Sequence, residues 1–213
     1  MISLLLSELD APLILQLTKK TRWPDLVQKK INQDKNIPKV AILNQAAGGN
    51  RILHDGLGPN AVSRIDRDVL AQSGVQYAMI FEGVNDIGVA EPDFKSQAEI
   101  GDQIITAFRQ IATRVQAAGI SFGAATISPF GTPASSNYTQ PYSNAEREKT
   151  RQRVNDFIRN DEAFDFVLDF DRVLRDPEDQ TVLLNEFDSG DHLHPNEVGY
   201  QAIADYFPLD LFQ

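Results

Sequence analysis

Short, nearly continuous apolar runs alternate along this chain with stretches of helical periodicity. No other feature of the 213 residues restricts the fold as strongly. Lys39–Asn44 (KVAILN), Tyr77–Glu82 (YAMIFE), Ile120–Ile127 (ISFGAATI) and Phe164–Phe170 (FDFVLDF) read as strands, and Met1–Leu6 begins the series. Between and around them Trp23–Asn32, Ser63–Gln72, Asp102–Ala118, Glu146–Arg159 and Asn196–Phe207 read as helices. In Asp102–Ala118 the apolar positions 104, 105, 108, 111, 112 and 115 follow helical spacing, and Gly119 supplies the stop. Strands without polar alternation are buried on both faces. The chain is therefore expected to form a parallel sheet covered by helices on both sides, in one domain over residues 1–213. In such folds ligands bind where strands deliver the chain into loops at their carboxyl ends. The polar runs after the strands are thus the places to search for chemistry.

Composition narrows the search. Twenty Lys and Arg against thirty Asp and Glu leave a net charge of −10, which repels phosphate backbones and anionic lipid. Neither nucleic acid nor a membrane surface is expected as a partner. With no cysteine there is no disulfide, thiol nucleophile or cysteine metal site. Residues 1–20 are apolar, but Glu8 and Asp10 interrupt them and a basic leader is missing. They do not read as an export signal.

Three runs stand out. Ala47-Gly48-Gly49-Asn50 follows the second strand. It reads either as an ordinary glycine turn or as a place where the Gly49 N–H meets developing negative charge. Gly83-Val84-Asn85-Asp86 follows the third; it is either a turn or a donor site in which the Asn85 amide faces an oxyanion and Asp86 steadies the turn. Before the last helix lies Asp188-Ser189-Gly190-Asp191-His192-Leu193-His194-Pro195-Asn196, with two of the three histidines of the chain. A carboxylate three residues before an imidazole can fold back and hold its tautomer, leaving the other ring nitrogen as general base.

Taken together, the Gly-Asn turn, the Gly-x-Asn-Asp turn and the terminal Asp-x-x-His-Pro resemble the SGNH (GDSL-type) esterase family, from about Arg22 to the C-terminus. The strings RWPDL, LNQAAGGNRIL and EGVNDIG are similar to those of secreted fungal and bacterial members grouped with xylan-associated arylesterases. The resemblance implies a flavodoxin-like three-layer α/β/α fold with about five strands. It also implies hydrolysis of small acyl esters, such as acetyl groups on plant polysaccharide, without a cofactor. Carried over by position, Gly49 and Asn85 form the oxyanion hole and Asp191 with His194 the base pair.

The family opens on a Gly-Asp-Ser block that this chain lacks. Ser7, in Leu5-Leu6-Ser7-Glu8-Leu9-Asp10, is the candidate nucleophile: it ends the first strand, and Asp10 stands three later as in the family's Ser-x-x-Asp. Both residues before it are Leu, less permissive of the tight turn that exposes such a hydroxyl. A different reading follows from that departure, namely a chain that keeps the fold and cleft without a competent nucleophile. A nucleotide-binding reading fails for want of a phosphate loop.

Other signals read as structural. Gly119-Ile120-Ser121-Phe122-Gly123 fits the nucleophile-elbow pattern, but helix precedes it and strand follows, the reverse of what an elbow needs; Ser121 should lie within a strand. His192 and His194 with His54 or Asp191 fall short of a zinc set, and no metal is expected. His192 reads as an exposed loop histidine. Trp23 and Pro24 should open a helix, and Arg51 should pair with an acidic neighbour. The charge runs at 146–153 and 159–179 read as solvated faces. Gly131–Ser143 reads as a polar loop suited to substrate contacts, and within it Asn137-Tyr138-Thr139 is a glycosylation sequon, which together with the resemblance to secreted family members hints at an extracellular setting.

Overall fold

A parallel five-stranded sheet, in the order β2-β1-β3-β4-β5, organises the computed structural model. The structure describes residues 2–7 through their backbone and residues 21–213 in full. The strands are β1 (Ile2–Ser7), β2 (Ile42–Asn44), β3 (Tyr77–Phe81), β4 (Ser121–Ala125) and β5 (Phe166–Leu168). The described helices are α1 (Trp23–Gln33), α2 (Ala61–Ile65), α3 (Val84–Val89), α4 (Phe94–Ala117), α5 (Ala145–Asn160), α6 (Phe170–Leu174) and α7 (Glu197–Tyr206).

Because side chains alternate along a strand, each strand feeds both cores. Ala78, Ile80, Phe122 and Ala124 point to one face, where Ile104, Phe108, Ile111 and Val115 of α4 and Val154 and Ile158 of α5 cover them. Met79, Phe81 and Ala125 point to the other, against Trp23, Val27 and Ile31 of α1 and Tyr200 and Ile203 of α7. The result is the expected three-layer α/β/α arrangement with all strand pairs parallel. Gly123 admits the Phe166 ring from the neighbouring strand; a Cβ there would lie 2.1 Å from it. As expected, Trp23 and Pro24 open α1, and Trp23 is buried edge-on to Phe170 at 5.4 Å. Ser121 lies in β4, and Gly119 ends α4 at φ +74°.

Several boundaries differ from the sequence reading, each for a local reason. Only Ile42–Asn44 of the second apolar run pairs as strand. The Gln28 side chain takes the place of a neighbouring strand there, donating to Val40 O at 3.0 Å and accepting from Ile42 N at 2.7 Å. Ser63–Gln72 is not one helix. Asn60 caps α2 at Ser63 N, and Asp66–Leu70 forms a π turn in which Arg64 and Arg67 both hold Asp68. Helix α4 begins at Phe94, eight residues before the Asp102 start read from sequence, because Asp93 caps it through Lys95 N and Ser96 N.

The charge runs at 146–153 and 159–179 are not simply solvated. Arg151 is fully buried and donates to Asp171 (2.6 Å), to Glu148 (2.7 Å) and to the carbonyls of Ile127 and Gln180. Arg159 holds both Asp169 (2.7 Å) and Asp171 (2.5 Å). This network ties α5 and α6 to the chain leaving β4. No described helix is long and apolar enough to cross a membrane.

Candidate active site

Three adjacent strands end on the same edge of the sheet and deliver three of the candidate residues there. Ser7 is the last residue of β1, paired with Phe81 of β3 after a register shift beyond Leu5. Its backbone stands at the carboxyl end of the strand; its side chain, and Asp10, lie outside the described residues. Strand β2 leads to the Gly49 turn and β3 to Gly83-Asn85.

The Gly49 turn is held from below. Asp86 accepts from Ile52 N at 2.8 Å and Leu53 N at 3.0 Å, and it is buried. Burial pushes its carboxyl above the ordinary range, against the pull of those two N–H groups. So Asp86 steadies the neighbouring turn as well as opening its own helix. Asn50, also buried, accepts from Arg64 Nη1 at 3.0 Å. Gly49 stands at φ +70° with Leu57 packed on it, and its N–H makes no hydrogen bond among the described residues. Arg51 turns back to the Asp55 backbone carbonyl.

Asn85 sits in the first turn of α3, which begins at Gly83 with φ +120°. Its Nδ2 donates to Asn50 O at 3.1 Å, joining the two turns directly. Its Oδ1 accepts from the Tyr142 hydroxyl at 3.0 Å. An amide bonded on both ends has its oxygen and nitrogen assigned by those partners.

In the terminal loop, Asp191 Oδ2 lies 2.6 Å from His194 Nδ1. Asp191 Oδ1 accepts from Leu193 N, His194 N and the Ser189 hydroxyl. Burial pushes the Asp191 carboxyl up, but hydrogen bonds from the His194 ring and backbone outweigh it and hold the carboxyl well below the usual range. A carboxylate only accepts, so the ring carries its proton on Nδ1 and leaves Nε2 as a base. His194 Nε2 makes no hydrogen bond among the described residues. The loop is anchored by Ser189 N to His194 O at 3.0 Å and by Asn196, which caps α7 and donates to Glu186 O and Asp188 O.

The Gly131–Ser143 loop joins these parts. Tyr142 reaches Asn85, and Gln140 Nε2 stands 3.5 Å from Asp191 O. The Tyr142 ring is seated on Gly88, where a Cβ would lie 2.2 Å from it. Sequence reading marked this loop as polar but did not single out Tyr142, because only folding brings residue 142 to residue 85. His192 is not an exposed loop histidine: its side chain is 12% exposed, with Nδ1 on Asp188 and Nε2 on the Ser136 hydroxyl at 2.6 Å. Among the described residues no three His, Asp or Glu side chains converge as a metal would need, and His54 lines a groove of about 620 Å³ with Leu53, Val62 and Thr106.

Comparison with solved structures finds the same fold at low identity. The psychrotrophic esterase EstA from Pseudoalteromonas sp. is 20% identical, with a TM-score of 0.60 over 96% of this chain and 92% of that one. The acetyl xylan esterase AlAXEase is 16% identical, with a TM-score of 0.62 over 96% and 95%. A catalytic mutant of Axe2, an acetylxylan esterase from Geobacillus stearothermophilus, is 16% identical, with a TM-score of 0.63 over 87% and 78%. No curated protein sequence matches the chain. The profile of the GDSL-like Lipase/Acylhydrolase family matches residues 15–207, a span that holds Gly49, Asn85, Asp191 and His194 and leaves Ser7 before it. The chain thus belongs to the GDSL-like lipase/acylhydrolase family and is a carboxylic ester hydrolase.

Proposed function

We propose that the protein removes small acyl groups, acetyl above all, from alcohol positions on carbohydrate, using Ser7, His194 and Asp191 with Gly49 and Asn85. The observation that carries this reading is the Asp191–His194 pair at 2.6 Å, with the far ring nitrogen uncommitted among the described residues. Ser7 Oγ attacks the ester carbonyl carbon and passes its proton to His194 Nε2. The tetrahedral intermediate collapses, and the alcohol departs with that proton. Water, activated by the same nitrogen, then releases the acyl group and restores Ser7. The Gly49 N–H and the Asn85 amide receive the negative charge that develops on the carbonyl oxygen. The acetyl preference is supported by the likeness to two acetyl xylan esterases, and the carbohydrate preference by the polar Gly131–Ser143 loop beside Asn85 and Asp191. The chain is read as one catalytic domain.

The test is release of acetate from p-nitrophenyl acetate and from acetylated xylo-oligosaccharides, by the wild type and by Ser7→Ala and His194→Ala. Loss of about a thousandfold or more in both variants is expected. Undiminished turnover in Ser7→Ala would remove Ser7 from the role.

A further inference from the structure

Asp188–His194 carries two carboxylate–imidazole pairs, interleaved in seven residues, and the first of them belongs to no step described so far. Asp188 is almost fully buried. Its Oδ2 holds His192 Nδ1, while Oδ1 accepts from Gly190 N at 2.8 Å and His192 N at 3.0 Å. With its proton fixed on Nδ1 by a group that can only accept, the neutral ring presents a bare Nε2. That atom lies 2.6 Å from the Ser136 hydroxyl, and in this tautomer only the hydroxyl can donate. The order carboxylate, imidazole, hydroxyl is that of an activated serine, recognised by geometry and not by position in the chain.

Two further observations favour chemistry. His192 is the one non-glycine residue at positive φ among the described residues (59°), a strain that folds retain where a side chain must be aimed. Asn137 follows Ser136 directly, is exposed, and its N–H makes no hydrogen bond among the described residues. The N–H after a nucleophile is a recurrent oxyanion donor. Ser136 Oγ also accepts from Tyr138 N at 3.1 Å, which favours negative charge on that oxygen, and Tyr138 O at 2.9 Å is a second acceptor for its one proton, which the shorter 2.6 Å contact gives to Nε2.

We propose that Asp188, His192 and Ser136 form a second relay, in which Ser136 takes an acyl group from a small carboxylic ester. Ser136 Oγ bonds to the carbonyl carbon as its proton moves to His192 Nε2. The bond to the alkoxy group breaks, and the alcohol leaves with that proton. Water deprotonated by Nε2 then cleaves the acyl–serine ester, giving the carboxylic acid and the free hydroxyl. The half-buried position of Ser136 beside exposed Asn137–Thr139 suits a short acyl ester approaching from solvent.

The experiment is labelling of the full chain with a fluorophosphonate probe, followed by mass-spectrometric mapping of adducts and their rates. An adduct on Ser136 is expected, slowed at least tenfold in His192→Gln and in Asp188→Asn. Melting temperatures are read alongside to show that each variant is folded. A folded wild type without an adduct on Ser136 overturns the proposal and leaves the cluster as a clasp on the loop. Labelling at an unchanged rate in both variants also overturns it, because the hydroxyl would then react without the relay. An adduct on Ser7 bears on the function proposed above and is read from a different peptide, so the two ideas stand or fall separately.

Discussion

The hydroxyl of Tyr142 donates to Asn85 Oδ1 at 3.0 Å while Asn85 Nδ2 donates to Asn50 O at 3.1 Å, so the amide of Asn85 is held at both ends. One amide proton is committed to Asn50, and the orientation of the other is set by a residue 57 positions away in sequence. Tyr142 is thereby a positioning residue for the proposed oxyanion donor. Tyr142→Phe keeps the ring on Gly88 and removes only the hydroxyl. The expected result is a fall in kcat of about fivefold with KM changed less than twofold, since one hydrogen bond is worth about 1 kcal/mol. Asn85→Ala should cost about 10²–10³ in kcat. In the double variant the Tyr142→Phe effect should vanish, and steady-state kinetics of the four proteins measure the coupling.

Asp191 keeps its charge to well below the ordinary carboxylate range, so it faces His194 as an anion at any working pH. Asp191→Asn retains the shape and removes the charge that fixes the ring tautomer. A loss on the order of 10³–10⁴ in kcat is expected, measured at a temperature where the variant is shown to be folded. A loss below tenfold would take Asp191 out of the mechanism.

Gly49→Ala places a Cβ 2.4 Å from Leu57 Cδ1 at φ +70°. Left-handed backbone costs a non-glycine residue about 1–2 kcal/mol, and the turn bearing the proposed donor would shift to relieve it. Activity should fall at least tenfold while the melting temperature drops only about 2–8 °C, as read by calorimetry beside a turnover assay.

Arg151→Met leaves Asp171 with Arg159 and Arg175 but takes the donor from its Oδ1 and from the carbonyls of Ile127 and Gln180. Each buried acceptor left unpaired costs about 1–3 kcal/mol, so thermal unfolding should move down by roughly 6 °C or more.

The same network makes an acid-stability prediction. Burial pushes the Asp169 carboxyl up, but hydrogen bonds from Arg159 and Thr126 outweigh it and hold it below its ordinary value. A depressed carboxyl contributes stability above the ordinary carboxylate range and loses it as pH falls through the folded value. Melting temperatures should therefore decline below about pH 4, and Asp169→Asn should flatten that decline. An identical acid limb in the variant would exclude Asp169 as its source.

Periodicity and run length placed the layers. Apolar runs of six to eight residues are too short to be helices of their own, and their order with the helices left a parallel sheet as the arrangement that buries them all. The spacing of Asp191 and His194 was equally visible, because a three-residue separation in a loop is a local geometry. Local chemistry also explains why Ser121 could be assigned to a strand from a motif that suggests otherwise. What folding alone could settle was every relation between distant residues: Tyr142 on Asn85, Asp86 under Ile52 and Leu53, Ser136 on His192, and the burial of Arg151. A polar side chain in a sequence carries no mark of the partner that will satisfy it. Whether it faces water or a buried counter-charge is decided by which segments the two cores bring together. Charged runs and loop histidines are thus read as solvated from sequence, and only the packed structure shows which of them are held.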